Sequence, residues 1–210
     1  MSSANGDLVV GRAGDTPLTL VVSRDRGQTW TSLPRLPVEE GVTVQDKIIG
    51  CLAIDPGPGW DPAQTGGRWR VLLAGRSGVY IYESTGTASS QGQWRRSDRG
   101  MSSCPAEIGG RWLNQLTVDP RPGRHAIIYA ASGPLDNCDE RDQRWPAAQG
   151  SLPYHQLYRS LDGGETWQSL CAPMYQGIPD HLAAQAIAVS PASGRFYLQE
   201  WSGQYSLPAP

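Results

Sequence analysis

Ser160-Leu-Asp-Gly-Gly-Glu-Thr-Trp167 repeats, at five of its eight positions, a stretch near the start of the chain, Ser23-Arg-Asp-Arg-Gly-Gln-Thr-Trp30. Both read S-x-D-x-G-x-T-W, and two full copies in one chain are too specific for coincidence. The chemistry is that of a tight turn. Asp25 and Asp162 have short acceptor side chains that reach backbone N–H groups across their own turn. Gly27 and Gly164 allow the positive φ such a turn demands. Thr29 and Thr166 are expected to begin a strand, and Trp30 and Trp167 to supply apolar area for packing between neighbouring repeats. The reading of these aspartates is structural, as turn staples rather than catalytic carboxylates. A worn copy runs from Ser84-Thr-Gly to Gln93-Trp94, without the Asp.

Around these turns the chain repeats a longer sentence. A first apolar element closed by a Pro/Gly turn is Leu52-Ala-Ile-Asp-Pro-Gly-Pro-Gly59. It returns as Leu116-Thr-Val-Asp-Pro-Arg-Pro-Gly123 and as Ile187-Ala-Val-Ser-Pro-Ala-Ser-Gly194. A second element follows as Val71-Leu-Leu-Ala-Gly, Ile127-Ile-Tyr-Ala-Ala and Phe196-Tyr-Leu-Gln-Glu. A third is Gly78-Val-Tyr-Ile-Tyr-Glu-Ser84, matched by Gln156-Leu-Tyr-Arg-Ser160 and Gly203-Gln-Tyr-Ser206. The fourth carries Trp30, Trp94 or Trp167. Short apolar segments bounded by Gly and Pro are strands, so the unit is four strands, A to D. First elements recur after 64 and 71 residues, against about 40–50 for a plain four-stranded blade. The excess lies in insertions, chiefly Ser132 to His155. A repeated series of four-stranded antiparallel units describes an all-β fold, a β-propeller; a β-sandwich does not require the same sentence to recur.

The S-x-D-x-G-x-T-W turns resemble the Asp box of bacterial neuraminidase repeats, and with the A and B strands the resemblance covers nearly the whole chain. Sialidases, xyloglucan-degrading glycoside hydrolases, sortilin-type receptor domains and photosystem II assembly factors carry this box. In them it is structural and faces away from the active site, so the resemblance implies a fold and transfers no catalytic residue. The strand count is three, four, four and three, about three and a half blades. Expected blade bounds are 1–35 (lacking strand A), 48–97, 113–171 and 184–210 (lacking strand D). Propellers of this kind close with about six to eight blades, so the expectation is a partial ring. Its open edges favour association, either self-association or pairing with missing blades; a strained four-bladed ring is the alternative.

Function is expected on the face shared by the D–A segments (35–47, 98–112, 171–184) and the B–C segments (12–17, 132–155, 201–202). As acid/base candidates, Asp46 precedes the second unit and Asp180 the fourth, with His181 beside it. A glycosidase needs two carboxylates about 5–10 Å apart, and these two lie two blades apart. Arg12 and Arg76, at the ends of B strands, suit a substrate carboxylate because guanidinium is a planar fork. A sialidase requires three such arginines, and the Arg-Ile-Pro motif of that family is not present. Trp112, Trp145 and Trp201 fall on or beside the same face and could stack on sugar rings or anchor a protein partner; the competing role is packing between blades. Asp136, Asp139, Glu140 and Asp142 gather oxygen donors without the spacing of a calcium loop. They are read as a solvated acidic segment, and no metal or cofactor is expected. His125 and His155 look incidental.

Composition excludes other classes. The chain has 210 residues and a net charge of −2, with no basic surplus for phosphates, so nucleic acid is not an expected partner. Gly and Pro, 25 and 17 residues, make up a fifth of the chain, which leaves little room for long helices. Lys47 is the sole lysine among 18 basic residues. No apolar run reaches the roughly 18 residues of a membrane helix. The first residues carry no leader signal, although a longer gene would make export open. The four cysteines hold no C-x-x-C pair. Cys51 reads as a core residue, while Cys104 and Cys138 lie in loop-like stretches where pairing stays open. The expected function is noncatalytic recognition or scaffolding of a glycan or protein. The alternatives are part of a glycoside hydrolase or, more weakly, a photosystem-type assembly factor.

Overall fold

The structure is a computed structural model. It describes residues 9–15, 18–23, 25–36, 49–55, 69–75, 78–84, 92–101, 113–121, 123–124, 126–132, 157–170, 186–199 and 204–208. Among them the fold is all-β, four small antiparallel sheets with no helix. The first sheet is β1 (Val9–Asp15), β2 (Leu18–Ser23) and β3 (Thr31–Ser32). The second is β4 (Ile49–Asp55), β5 (Arg70–Gly75), β6 (Gly78–Ser84) and β7 (Gly92–Arg96). The third is β8 (Leu113–Val118), β9 (Ile128–Ser132), β10 (Leu157–Ser160) and β11 (Gln168–Ser169). The fourth is β12 (Ala186–Val189), β13 (Phe196–Gln199) and β14 (Gln204–Leu207). Each sheet is a meander in which every strand pairs with its sequence neighbour.

The sheets stack in series because their strands are apolar on both faces. Alternate residues of a strand point to opposite faces, and here each set has its own partner sheet. Val71, Leu73, Tyr80 and Tyr82 of the second sheet pack on Leu20, Val22, Leu33 and Leu36 of the first. Their neighbours Leu72, Ala74, Val79 and Ile81 pack on Leu113, Leu116, Ile128, Ala130, Tyr158 and Trp167 of the third. The third turns Tyr129, Ala131 and Leu157 to Val189, Phe196 and Leu198 of the fourth. Burying one such side chain fully stabilises by about 1.5–3 kcal/mol. Each inner sheet therefore holds two neighbours at once. Strand β8 lies against β4 and β5 on one side and β12 on the other, so first strands sit close together.

Register corrects two sequence alignments. Val71 pairs with Ile54, Phe196 with Val189 and Ile128 with Val118, each the third residue of its first element. The equivalent of Val71 is thus Ile128, not Ile127, and a one-residue slip exchanges the two faces of the sheet. In the second sheet Trp94 pairs with Tyr82, the rung of Ser160 in the third. Ser84 lies two rungs further on, opposite Gly92, because this hairpin runs longer before it turns. Arg12 lies inside β1, paired with Leu20, rather than in a loop after it, since the β1–β2 hairpin extends to Asp15 and Leu18. The fourth strands begin at Thr31 and Gln168, not at Thr29 and Thr166.

Strand polarity sorts the connections. The A–B and C–D turns lie at one end of the stack. There the Gly163 N–H donates to the Ala126 carbonyl at 2.9 Å, and Arg121 reaches the Ser193 carbonyl of the fourth sheet at 3.5 Å. The B–C strand ends, such as Gly75 with Gly78, point to the opposite end, where first strands also begin.

Candidate functional site

The two S-x-D-x-G-x-T-W turns are built alike. In the first, Asp25 Oδ1 accepts the Thr29 N–H at 2.8 Å and Oδ2 accepts the Thr29 hydroxyl at 2.6 Å. Ser23 donates its hydroxyl to Asp25 at 2.7 Å and accepts the Gly27 N–H at 2.7 Å. In the second, Asp162 accepts the Thr166 N–H at 2.9 Å and also the Thr166 hydroxyl. Ser160 donates to Asp162 at 2.8 Å and accepts from Gly164 at 2.8 Å. Gly27 and Gly164 adopt φ of +89° and +90°. The threonines are occupied by the aspartates rather than by a ladder, which is why the strands start two residues later.

These bonds set the carboxylate chemistry. The Thr29 hydroxyl and N–H, then Ser23, hold Asp25 down from 3.8 to about 2. Burial pushes Asp162 up, but the bonds from Thr166 and Ser160 outweigh it and hold this carboxyl also at about 2. A general acid works best with a pKa near the operating pH. Both groups stay ionised near neutrality, with their oxygens directed into the turn.

What differs is what lies against each turn. The second docks on the preceding sheet. Arg95 donates to the carbonyls of Gly163 and Gly164 at 2.9 and 3.2 Å, Arg70 donates to that of Gly163 at 3.3 Å, and the Ser97 hydroxyl donates to that of Gly164. The Trp167 indole N–H donates back to Ser97 at 3.1 Å, and its backbone N–H to Arg99 at 2.8 Å. Arg95 also pairs with Glu165 at 3.3 Å and Glu83 at 3.4 Å. Trp167 is 4% exposed, Trp30 is 47% exposed, and the Trp30 N–H returns to its own Gly27 carbonyl at 3.1 Å. The expected packing between neighbours therefore holds for Trp167 and not for Trp30, which has no preceding sheet among the described residues.

Sequence reasoning missed Ser97, although a signal was present. Backbone N–H groups of Leu33, Ser97 and Leu170 close equivalent rungs, each three residues after its Trp, and the polar Ser97 stands where the other two sheets have leucine. It also missed Asp119, which is fully buried and bound by Arg121 at 2.6 Å. Burial raises this carboxyl, and the Arg121 bonds and charge bring it below the usual range. The candidate residues Asp46, Arg76, Trp112, Trp145, Asp180, His181 and Trp201 lie outside the described residues, as do Cys104 and Cys138 and the acidic segment 136–142. For Arg12 and Cys51 the backbone alone is described. Among the described residues no group of three His, Cys, Asp or Glu side chains could hold a metal ion, and no helix is long and apolar enough to cross a membrane.

No family model and no curated protein matches the chain. Among solved structures it is similar to a GH74 enzyme of Niastella koreensis, with a TM-score of 0.49 and 14% identity over 95% of this chain. The chain spans 28% of that enzyme's length.

Proposed function

We propose that this chain is part of an Asp-box β-propeller acting as a noncatalytic recognition or scaffold module, which binds glycan or protein at the end of the stack opposite its two motif turns. The observation that carries the reading is the engagement of the motif carboxylates. Asp25 and Asp162 each bind the backbone and hydroxyl of their own threonine, and the arginines around the second turn hold one sheet on the next. That chemistry supports a rigid platform rather than a reacting centre. The blade reading is supported by the series of three-, four-, four- and three-stranded meanders with successive first strands in contact. Recognition is assigned to the segments 98–112, 132–155 and 201–202, with Trp112, Trp145 and Trp201 as the contacting side chains.

The test is a glycan array that includes xyloglucan oligosaccharides and sialosides, read for binding and for released sugar. Binding without release, weakened about tenfold by alanine at a contacting Trp, is expected. Sugar release abolished in Asp46→Ala or Asp180→Ala would overturn the noncatalytic reading in favour of a glycoside hydrolase. No binding to any glycan would leave the protein-binding arm alone.

A further inference from the structure

The joint between the third and fourth sheets is pinned at one end and parted at the other. Toward the motif turns, the buried Asp119 holds Arg121, whose guanidinium reaches the Ser193 carbonyl at 3.5 Å and lies where a Cβ on Gly194 would fall. Val189 is 8% exposed there. Further from that end, on the same face of β12, Ile187 is part-exposed. The preceding joint has the reverse order. Leu116, the rung equivalent of Ile187, is 6% exposed, and Val118, the equivalent of Val189, is part-exposed.

Two polar side chains face the parted end. Gln115 pairs with Ala131 and Thr117 with Tyr129. Those partners belong to the core shared with the fourth sheet, and directly opposed residues of a ladder share a face. Gln115 and Thr117 are both part-exposed, whereas Ala53, the rung equivalent of Thr117 in the second sheet, is buried. Among the described residues no side-chain hydrogen bond engages either of them. Behind them the Tyr129 and Phe196 rings, 4.5 Å apart and buried, close the joint.

A bulge keeps this face clear. Regular alternation would put Leu113 on the side of Gln115 and Thr117. The register of β8 slips between Leu113 and Gln115, and Leu113 goes instead into the core between the second and third sheets, where it is fully buried. Bulges are enriched beside active sites, where they re-aim a side chain in this way. What remains at the opening is uncharged: β8 reads Leu-Asn-Gln-Leu-Thr-Val and β12 reads Ala-Ile-Ala-Val. Arg159, on the rung of Thr117, lies beyond Tyr129. A carboxamide and a hydroxyl each donate and accept, which matches the hydroxyls of a neutral sugar. An anionic ligand would meet no cation on either strand.

We propose that the wedge between β8 and β12 is a binding cleft for a neutral glycan. Gln115 and Thr117 are its hydrogen-bonding contacts, and Ile187 is its apolar wall. The inference rests on the glycan arm of the recognition reading above and names the ligand class.

The test is isothermal titration calorimetry of the full chain with cellotetraose and mannotetraose as neutral probes and sialyllactose as an anionic one. It is repeated on Gln115→Met and Thr117→Val, which keep size and remove the polar group. The expected result is binding of a neutral probe, weakened about three- to tenfold in each variant, with melting temperatures equal to the parent's. Neutral-probe binding that survives both variants overturns the cleft and leaves recognition by the segments 98–112, 132–155 and 201–202 standing. Binding of sialyllactose alone overturns the neutral class and also leaves that reading standing. A chain that binds none of the three probes overturns the cleft, and the same chain silent on the whole glycan array removes the glycan arm with it.

Discussion

Gly27 and Gly164 offer a matched pair in which local turn and neighbouring sheet can be separated. Each is the fifth residue of an S-x-D-x-G-x-T-W turn, with φ of +89° and +90°. Alanine at either position carries the left-handed backbone penalty of about 1–2 kcal/mol. The loss of unfolded-state freedom returns about 0.4–1 kcal/mol of that. At Gly27 the added Cβ meets only the Trp30 ring, at 3.7 Å, which is ordinary contact. At Gly164 it falls 2.5 Å from Ile81 Cδ1 and 2.7 Å from Ser97 Oγ. Both partners are buried in the preceding sheet, and overpacking of this kind adds about 1–3 kcal/mol. Gly27→Ala should therefore cost about 1 kcal/mol and Gly164→Ala about 2–4 kcal/mol. Urea unfolding followed by tryptophan fluorescence gives the difference, provided the slopes match the parent. Amide exchange at Trp167, whose N–H donates to Arg99, detects local release of the turn even if global unfolding does not. Equal costs at the two glycines, or faster exchange at Trp167 in neither variant, would refute the claim that the second turn is clamped by the sheet before it.

Ser97→Ala should destabilise by about 1–3 kcal/mol, because it leaves the Trp167 indole N–H unpaired in a buried place and removes one of the two donors to the Gly164 carbonyl, Arg95 remaining; a melting temperature equal to the parent's would contradict that network. Acid should weaken the fold in a defined window. Asp25 and Asp162 are held at about 2 against an ordinary 3.8, so their contribution is complete above pH about 4 and disappears as pH falls through about 2. In thermal melts, Asp162→Asn should be less stable than the parent at pH 6 and approach it near pH 2. A constant gap across that range would assign the loss to something other than the charge.

The strands were legible where three independent signs coincide. Apolar residues, β-branched or aromatic side chains and a flanking Gly or Pro placed Leu52–Asp55, Leu116–Asp119 and Ile187–Val189 in first strands, and each lies in or at the end of one. Register was less legible, because Ile127-Ile-Tyr-Ala-Ala is apolar at every position. A strand buried on both faces has no polar alternation to tell its two sides apart, so the slip from Ile128 to Ile127 is written in the ladder alone. The longer β6–β7 hairpin is hidden for a similar reason, since Tyr82 and Ser84 are both plausible places to leave a strand. Most candidate site residues belong to inserted segments with no repeat against which to align them.

The two motif turns separate what a local sequence determines from what it leaves to its surroundings. Eight residues with the same five identities give the same hydrogen bonds to within about a tenth of an ångström, yet one tryptophan is buried and the other exposed. The turn is written in its own residues; the burial of its tryptophan is written in the sheet before it. That second message also lies in the sequence, but at a distance: Arg70 and Ser97 are polar where their counterparts Ile127, Leu33 and Leu170 are not. Each substitution supplies a donor that the next turn's carbonyls accept. Arg195 carries arginine at the same place in the fourth sheet, where it donates to the Ser206 hydroxyl at 3.2 Å. In a stacked β fold the residues that break the repeat therefore mark which neighbour each sheet expects, and they do so more specifically than the residues that keep it.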